Sequence, residues 1–230
     1  MNTVFWIATD KYIQEAVQSA ASLKRHMPDL KRVLCTPAKN IRRPIFDEIL
    51  QLETRTNKFW YLDSVGYFNE VLHGLKAERL LYLDTDTYVC DDLSDLFILL
   101  DRFDFVGTHA PGRCTTNTVE PIPPAFPEVN LGVNAFRNVP IVEALFRGWQ
   151  ARFEANPTVF RNNDQGALRE ALWNWTGKFY ILPPEYNMRW GFGGFARYKV
   201  KVLHGRGNYE AVEKKVNSRI EMRGWDRGAI

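Results

Sequence analysis

Short apolar runs alternate with longer stretches of helical periodicity along most of the chain. Residues 4–8, 31–36 and 80–84 are apolar runs bounded by polar residues, the pattern of strands buried on both faces of a parallel sheet. Between them, residues 13–26 place Ile13, Ala16, Val17, Ala20 and Leu23 at helical spacing, and residues 57–74 put Trp60, Leu62, Val65, Phe68, Val71 and Leu72 on one rough face. Residues 45–50 read as a short helix and 51–54 as a short strand. Repeated β and α units over the first 90 residues predict an α/β fold with a mostly parallel central sheet flanked by helices.

The second half continues less regularly. Residues 91–97 and 167–173 read as short helices, 139–155 as a longer one burying Leu145, Phe146, Trp149 and Phe153, and 104–108, 129–136 and 181–187 as strands, the last with a turn. Residues 113–127, with Pro121, Pro123, Pro124 and Pro127, fit neither a core helix nor a central strand and are expected to form an active-site flap or acceptor loop. A glycine-rich aromatic loop at 190–195, a strand at 199–205 ending near His204 and a basic helical tail complete the chain.

With 230 residues, 45% of them hydrophobic, the chain is long enough for one sizeable soluble domain, and no repeat or composition break marks a second. A net charge of +3 gives no case for a nucleic-acid partner. The basic segment from Lys199 onward reads as a solvated face, which leaves peripheral contact as the expected form of any membrane association. Cys35, Cys90 and Cys114 form no Cys-x-x-Cys pair, so a reducing compartment, the cytoplasm, is expected. Residues 1–9 lack the pattern of a signal peptide, and no run reaches the roughly 20 apolar residues of a membrane span.

The candidate chemistry sits at the end of Arg79-Leu80-Leu81-Tyr82-Leu83-Asp84-Thr85-Asp86-Thr87-Tyr88-Val89. The carboxyl end of such a strand is the expected ligand edge of an open α/β sheet. Two carboxylates placed there repel each other unless a cation holds them, and Mn²⁺ or Mg²⁺ suits oxygen ligands shared with substrate phosphates. The plainer alternative is a polar turn. Thr9 or Asp10 can cap the helix at 13–26, Asp164 can cap the helix after it, and Lys58 can reach a phosphate or simply face solvent.

Five separated segments then coincide: Ala8-Thr9-Asp10-Lys11-Tyr12, Leu81-Tyr82-Leu83-Asp84-Thr85-Asp86, Asn130-Leu131-Gly132-Val133-Asn134-Ala135-Phe136, Asn163-Asp164-Gln165-Gly166 and His204-Gly205. In this order, over nearly the whole length, the chain resembles a GT-A-fold glycosyltransferase, most like the family 8 and glycogenin group of retaining enzymes. The resemblance implies a Rossmann-like domain with a nucleotide-binding half over about 1–110 and a donor-sugar and acceptor half over about 111–230. It implies a divalent metal on Asp84, Asp86 and His204, with Asp84 also near the ribose. Ala8, Thr9 and Asp10 would line the base pocket with Tyr12 stacking nearby, and Lys58, Thr85, Asn130 and Gly132 would complete the nucleotide-sugar site. Asn130, Asp164 and Gln165 would face the donor sugar, with Gln165 and Asp164 the candidates for the oxygen that stabilises the anomeric carbon. The group's lysine and Pro-Trp after the histidine are replaced here by Gly205-Arg206-Gly207-Asn208, and Arg206 is expected to bind the diphosphate instead.

The expected activity is metal-dependent transfer of a sugar from a nucleotide-diphosphate sugar, with UDP the expected nucleotide, to a glycan, protein or small-molecule acceptor. A haloacid-dehalogenase-like phosphatase using Asp84 and Asp86 is the main rival, although its nucleophile strand normally opens the chain. A nucleotidyltransferase would need a glycine-rich phosphate loop after the first strand. A non-catalytic sugar-nucleotide-binding module remains the other alternative.

Overall fold

The computed structural model describes residues 1–56, 60–110, 117–160 and 163–226. Strands β1 (Asn2–Ile7), β2 (Lys31–Thr36), β3 (Glu48–Gln51), β4 (Arg79–Leu83), β6 (Phe105–His109), β7 (Val129–Arg137) and β8 (Phe179–Leu182) form one sheet in the order β3-β2-β1-β4-β7-β6-β8. Only β7 runs against its neighbours; every other pairing in this sheet is parallel.

Alternation along the central strands sorts their side chains onto two faces. Phe5, Leu80, Tyr82 and Phe136 pack on one side with α2 (Trp60–Gly74), α4 (Pro140–Ala155) and α6 (Gln165–Trp173). Val4, Trp6, Leu81, Leu83 and Ala135 pack on the other with α1 (Ile13–His26) and α3 (Ser94–Leu99). Burial on both faces explains why these strands are apolar throughout.

A smaller apolar cluster forms at the C-terminal end. Strand β5 (Thr87–Val89) pairs antiparallel with β10 (Val202–His204), β9 (Gly194–Ala196) pairs with β11 (Arg223–Trp225), and α7 (Tyr209–Val216) covers them. Tyr88, Met188, Trp190, Leu203 and Val212 meet there. The four-residue α5 (Pro157–Phe160) links α4 to α6.

Two sequence expectations are corrected. Residues 45–50 are not a helix: β3 occupies Glu48–Gln51 and pairs with the edge of β2, and the buried Arg32 guanidinium binds the carbonyl of Ile45 (2.9 Å) and the Asp47 carboxylate (3.1 Å). An open sheet edge and a buried cation outweigh local helical preference here. Neither Thr9 nor Asp10 caps α1 by its side chain, because a 3₁₀ turn over Asp10–Tyr12 intervenes and Tyr12 occupies the cap position. Residues 117–127 contain no helix or strand, as the prolines require. Cys35 and Cys90 are buried free thiols, and among the described residues no helix is long and apolar enough to cross a membrane.

Candidate metal centre and substrate cleft

Strand β4 ends at Leu83, and the next residues turn tightly. Asp84 N–H donates to the carbonyl of Gly132 (2.9 Å), while Thr87 N–H and Oγ1 donate back to the carbonyl of Asp84 (3.2 and 2.7 Å). This turn projects Asp84 and Asp86 beyond the sheet. The β5–β10 register sets His204 opposite Thr87, and Gly205 N–H donates to the carbonyl of Asp86 (2.9 Å). Residues distant in sequence are thereby joined by backbone pairing.

His204 Nε2 lies 3.4 Å from Asp84 Oδ2 and 3.5 Å from Asp86 Oδ1. One ligand atom from each of Asp84, Asp86 and His204 lies within 4.8 Å of the others. Strand β7 makes room for the ring. Between Gly107 and Thr108 the partner on β7 jumps from Asn134 to Asn130, and Gly132 sits within this irregularity. Irregular pairing beside a site commonly re-aims the groups around it.

The imidazole has a defined polarity. Asn187 Nδ2 donates to Asn130 Oδ1 (2.7 Å) and to Thr108 Oγ1 (2.9 Å), so Asn187 turns its oxygen to His204 Nδ1 at 2.8 Å. Nδ1 is therefore the donor, and a neutral ring presents the Nε2 lone pair to two carboxylates. Only a cation or a proton makes that arrangement favourable, so the donor set fits a divalent metal. Burial pushes the Asp84 carboxyl up, with Asp86 adding to the effect and His204 opposing it. For Asp86 burial pushes upward too, but a proton taken up on Nε2, through its hydrogen bond and charge, and the Arg206 charge hold the carboxyl below its usual range.

The cluster opens on a cleft of about 450 Å³, a volume suited to a small-molecule site. Tyr12, Asp84, Thr85, Asp86, Asn130, Asp164, Gln165, His204 and Arg206 all line it. Gly132 supports the His204 ring from beneath. Ala8, Thr9 and Asp10 are not among the lining residues, although Ile7 is. Lys58 lies outside the described residues.

Sequence reasoning missed groups that hold the cleft-lining side chains in place. Glu15 receives Arg206 at two points, Nε at 2.7 Å and a terminal nitrogen at 3.0 Å, and accepts a bond from Thr85 Oγ1 at 3.1 Å. Arg206 also stands 3.6 Å from Asp86 Oδ2 and over the Tyr12 ring at 5.4 Å from its centroid. Glu15 and Asn187 carry no motif; their roles follow from partners brought together by the fold. Tyr61, Ser64 and Arg189 line the cleft as well.

Asp164 occupies the cap position of α6, but its side chain caps nothing, and Asn163 Oδ1 accepts the Gln165 N–H instead (2.9 Å). This corrects its reading as an N-cap. Burial, with the charges of Asp84 and Glu128, pushes the Asp164 carboxyl up to about 7. The neutral form is thus favoured in the fold, so stability present at low pH is lost as pH rises from 3.8 towards about 7. In chelator-treated protein, Asp164→Asn is expected to raise thermal stability over wild type at pH 8, by up to about 4 kcal/mol at ~1.4 kcal/mol per pH unit. The gain should shrink towards pH 4. Melting curves across this range check it, and a pH-independent difference would contradict it.

No protein-family model and no curated protein matches the chain. Solved structures do. The glycosyltransferase GlyE of Streptococcus pneumoniae TIGR4 superposes with a TM-score of 0.60 at 20% identity, over 83% of this chain and 48% of that one. Its apo form gives 0.60 and 20%, over 83% and 47%. This chain therefore spans about half the length of GlyE. The galactosyltransferase LgtC, solved in complex with donor and acceptor sugar analogs, superposes with a TM-score of 0.64 at 13% identity, over 90% of this chain and 87% of that one. The chain has the GT-A-like α/β fold of these glycosyltransferases.

Proposed function

We propose that this chain is a metal-dependent glycosyltransferase that moves a sugar from a nucleotide-diphosphate sugar, UDP being the expected nucleotide, to a glycan, protein or small-molecule acceptor. The observation that carries the reading is the Asp84, Asp86 and His204 cluster, aimed into a cleft at the carboxyl edge of the sheet. Asp84, Asp86 and His204 would hold Mn²⁺ or Mg²⁺. The ion would neutralise the leaving diphosphate.

The chain's own residues supply the rest. Glu15 holds Arg206 by two bonds, which leaves the third nitrogen beside Asp86 as a cation for the diphosphate. Asp164, at the same wall as Asn130 and Gln165, offers a carboxyl oxygen to positive charge developing at the anomeric carbon. Gln165 Oε1 already accepts a bond from Asn130 Nδ2 (2.7 Å), so its carboxamide is held in one orientation. The family resemblance implies retention at the anomeric carbon. Buried free thiols at Cys35 and Cys90 fit the cytoplasm.

The phosphatase reading fits less well. Three strands precede the strand that carries Asp84, and a histidine from β10 completes the acidic pair.

Nucleotide sugars with and without Mn²⁺ test the proposal. A ligand at 100 times its dissociation constant adds about 2.7 kcal/mol of stability, so UDP-sugars should raise the melting temperature only when metal is present. Hydrolysis or transfer of the sugar in the same mixture separates an enzyme from a binding module. Turnover of simple phosphomonoesters with no response to any nucleotide sugar would sink the reading.

A further inference from the structure

A buried carboxylate stands at the far end of the hydrogen-bond row that starts at His204. Glu128, immediately before β7, is fully inaccessible and accepts from Gln165 Nε2 at 2.7 Å. Gln165 Oε1 accepts from Asn130 Nδ2 (2.7 Å), Asn130 Oδ1 from Asn187 Nδ2 (2.7 Å), and Asn187 Oδ1 from His204 Nδ1 (2.8 Å). Gln165, Asn130, Asn187 and His204 are all buried.

An ionised carboxylate can only accept, whereas a carboxamide has one donating end and one accepting end. Glu128 therefore obliges Gln165 to turn its NH₂ inward and its oxygen towards Asn130. Each amide hands the same sense to the next, until Asn187 offers an oxygen to Nδ1 of the ring. Gly132 N–H, donating to Asn130 Oδ1 at 3.1 Å, acts in the same sense. A backbone donor and a distant carboxylate thus agree on a single polarity.

We propose that Glu128 is a positioning residue: acting through Gln165, Asn130 and Asn187, it keeps the His204 ring in the tautomer whose Nε2 lone pair faces Asp84 and Asp86, and it fixes Gln165 in the cleft wall. The inference rests on the proposed metal site for its consequence, though not for its geometry. It ties the metal side of the cleft to its sugar side through one file of side chains. Outer partners of a metal-binding histidine typically cost 10–100-fold in metal affinity when removed.

The test uses the whole chain with Glu128→Gln and Glu128→Met, reading Mn²⁺ affinity by calorimetry and the His204 ring nitrogens by ¹⁵N NMR. Glu128→Met should weaken Mn²⁺ binding by about 10–100-fold and admit the Nε2–H tautomer in metal-free protein. Glu128→Gln can still accept from Gln165 and should stay near wild type in both. A folded Glu128→Met variant with wild-type affinity and tautomer overturns the proposal. Should that variant lose its cooperative melt, the wild-type ring decides alone. At alkaline pH and without metal it should carry its proton on Nδ1, and a proton on Nε2 overturns the assignment. Wild-type protein that takes up no Mn²⁺ would remove the metal reading, while the tautomer would still decide the role of Glu128.

Discussion

Asp86→Ala is expected to abolish metal-dependent donor turnover while leaving the fold intact. Asp86 lies after the strand, outside the apolar clusters, with its side chain 17% exposed, so its loss removes no packing of consequence. Its two oxygens face different partners, Oδ1 towards His204 at 3.5 Å and Oδ2 towards Arg206 at 3.6 Å. Alanine there takes away one of the three proposed metal ligands and also frees Arg206 from a competing anion. Arg206 alone cannot replace a divalent cation at a leaving diphosphate. Removing one electrostatic stabiliser of a transition state commonly costs about 10²–10³-fold in rate, and loss of an entire ion should cost at least as much. Calorimetric Mn²⁺ titration and a UDP-sugar turnover assay measure the two halves of the expectation. Undiminished turnover in the variant would take the metal centre out of the mechanism.

Gly132→Ala should disable the same site from beneath. A Cβ at this position would fall 2.2 Å from Nδ1 and 2.4 Å from Cε1 of His204, and 3.0 Å from Asn187 Oδ1. None of these neighbours yields easily: the ring and Asn187 are buried, and the Gly132 carbonyl is tied to Asp84 N–H. Overpacking of this kind costs roughly 1–3 kcal/mol, equivalent to a fall of about 2–4 °C in melting temperature per kcal/mol for a chain of this size. The displaced imidazole should also weaken Mn²⁺ binding. Adding His204→Ala to the same chain should restore stability without restoring metal affinity. A single Gly132→Ala variant with unchanged melting temperature and affinity would show that the ring is not seated as described.

The strands that could be read from sequence are those whose surroundings are uniform. Val4, Phe5 and Trp6 are each fully buried, as are Leu80 and Leu81, so an apolar run translates directly into a central strand. Strand β3 gave no such signal because it pairs through a single neighbour and its residues are half-buried or exposed. The three-residue strands β5, β9 and β11 depend on partners far along the chain. The site divides in the same way. Asp84 and Asp86 share one turn and announce themselves, whereas Glu15 acquires its importance from Arg206, 191 positions away. Asp164 misled as a cap because its neighbour Asn163 performs that task. Glu128 is silent in sequence, since one acidic residue before a strand says nothing of the amides it will meet.

The antiparallel pairing of β5 with β10 has a consequence for the order in which the molecule becomes competent. The seven-stranded sheet is complete once Leu182 is in place, but His204 and Arg206 come later. Residues up to Leu182 therefore supply every strand of that sheet and both aspartates, while the histidine and the arginine come from the segment that follows. The Asp84, Asp86 and His204 cluster is closed only by this return of β10 onto β5.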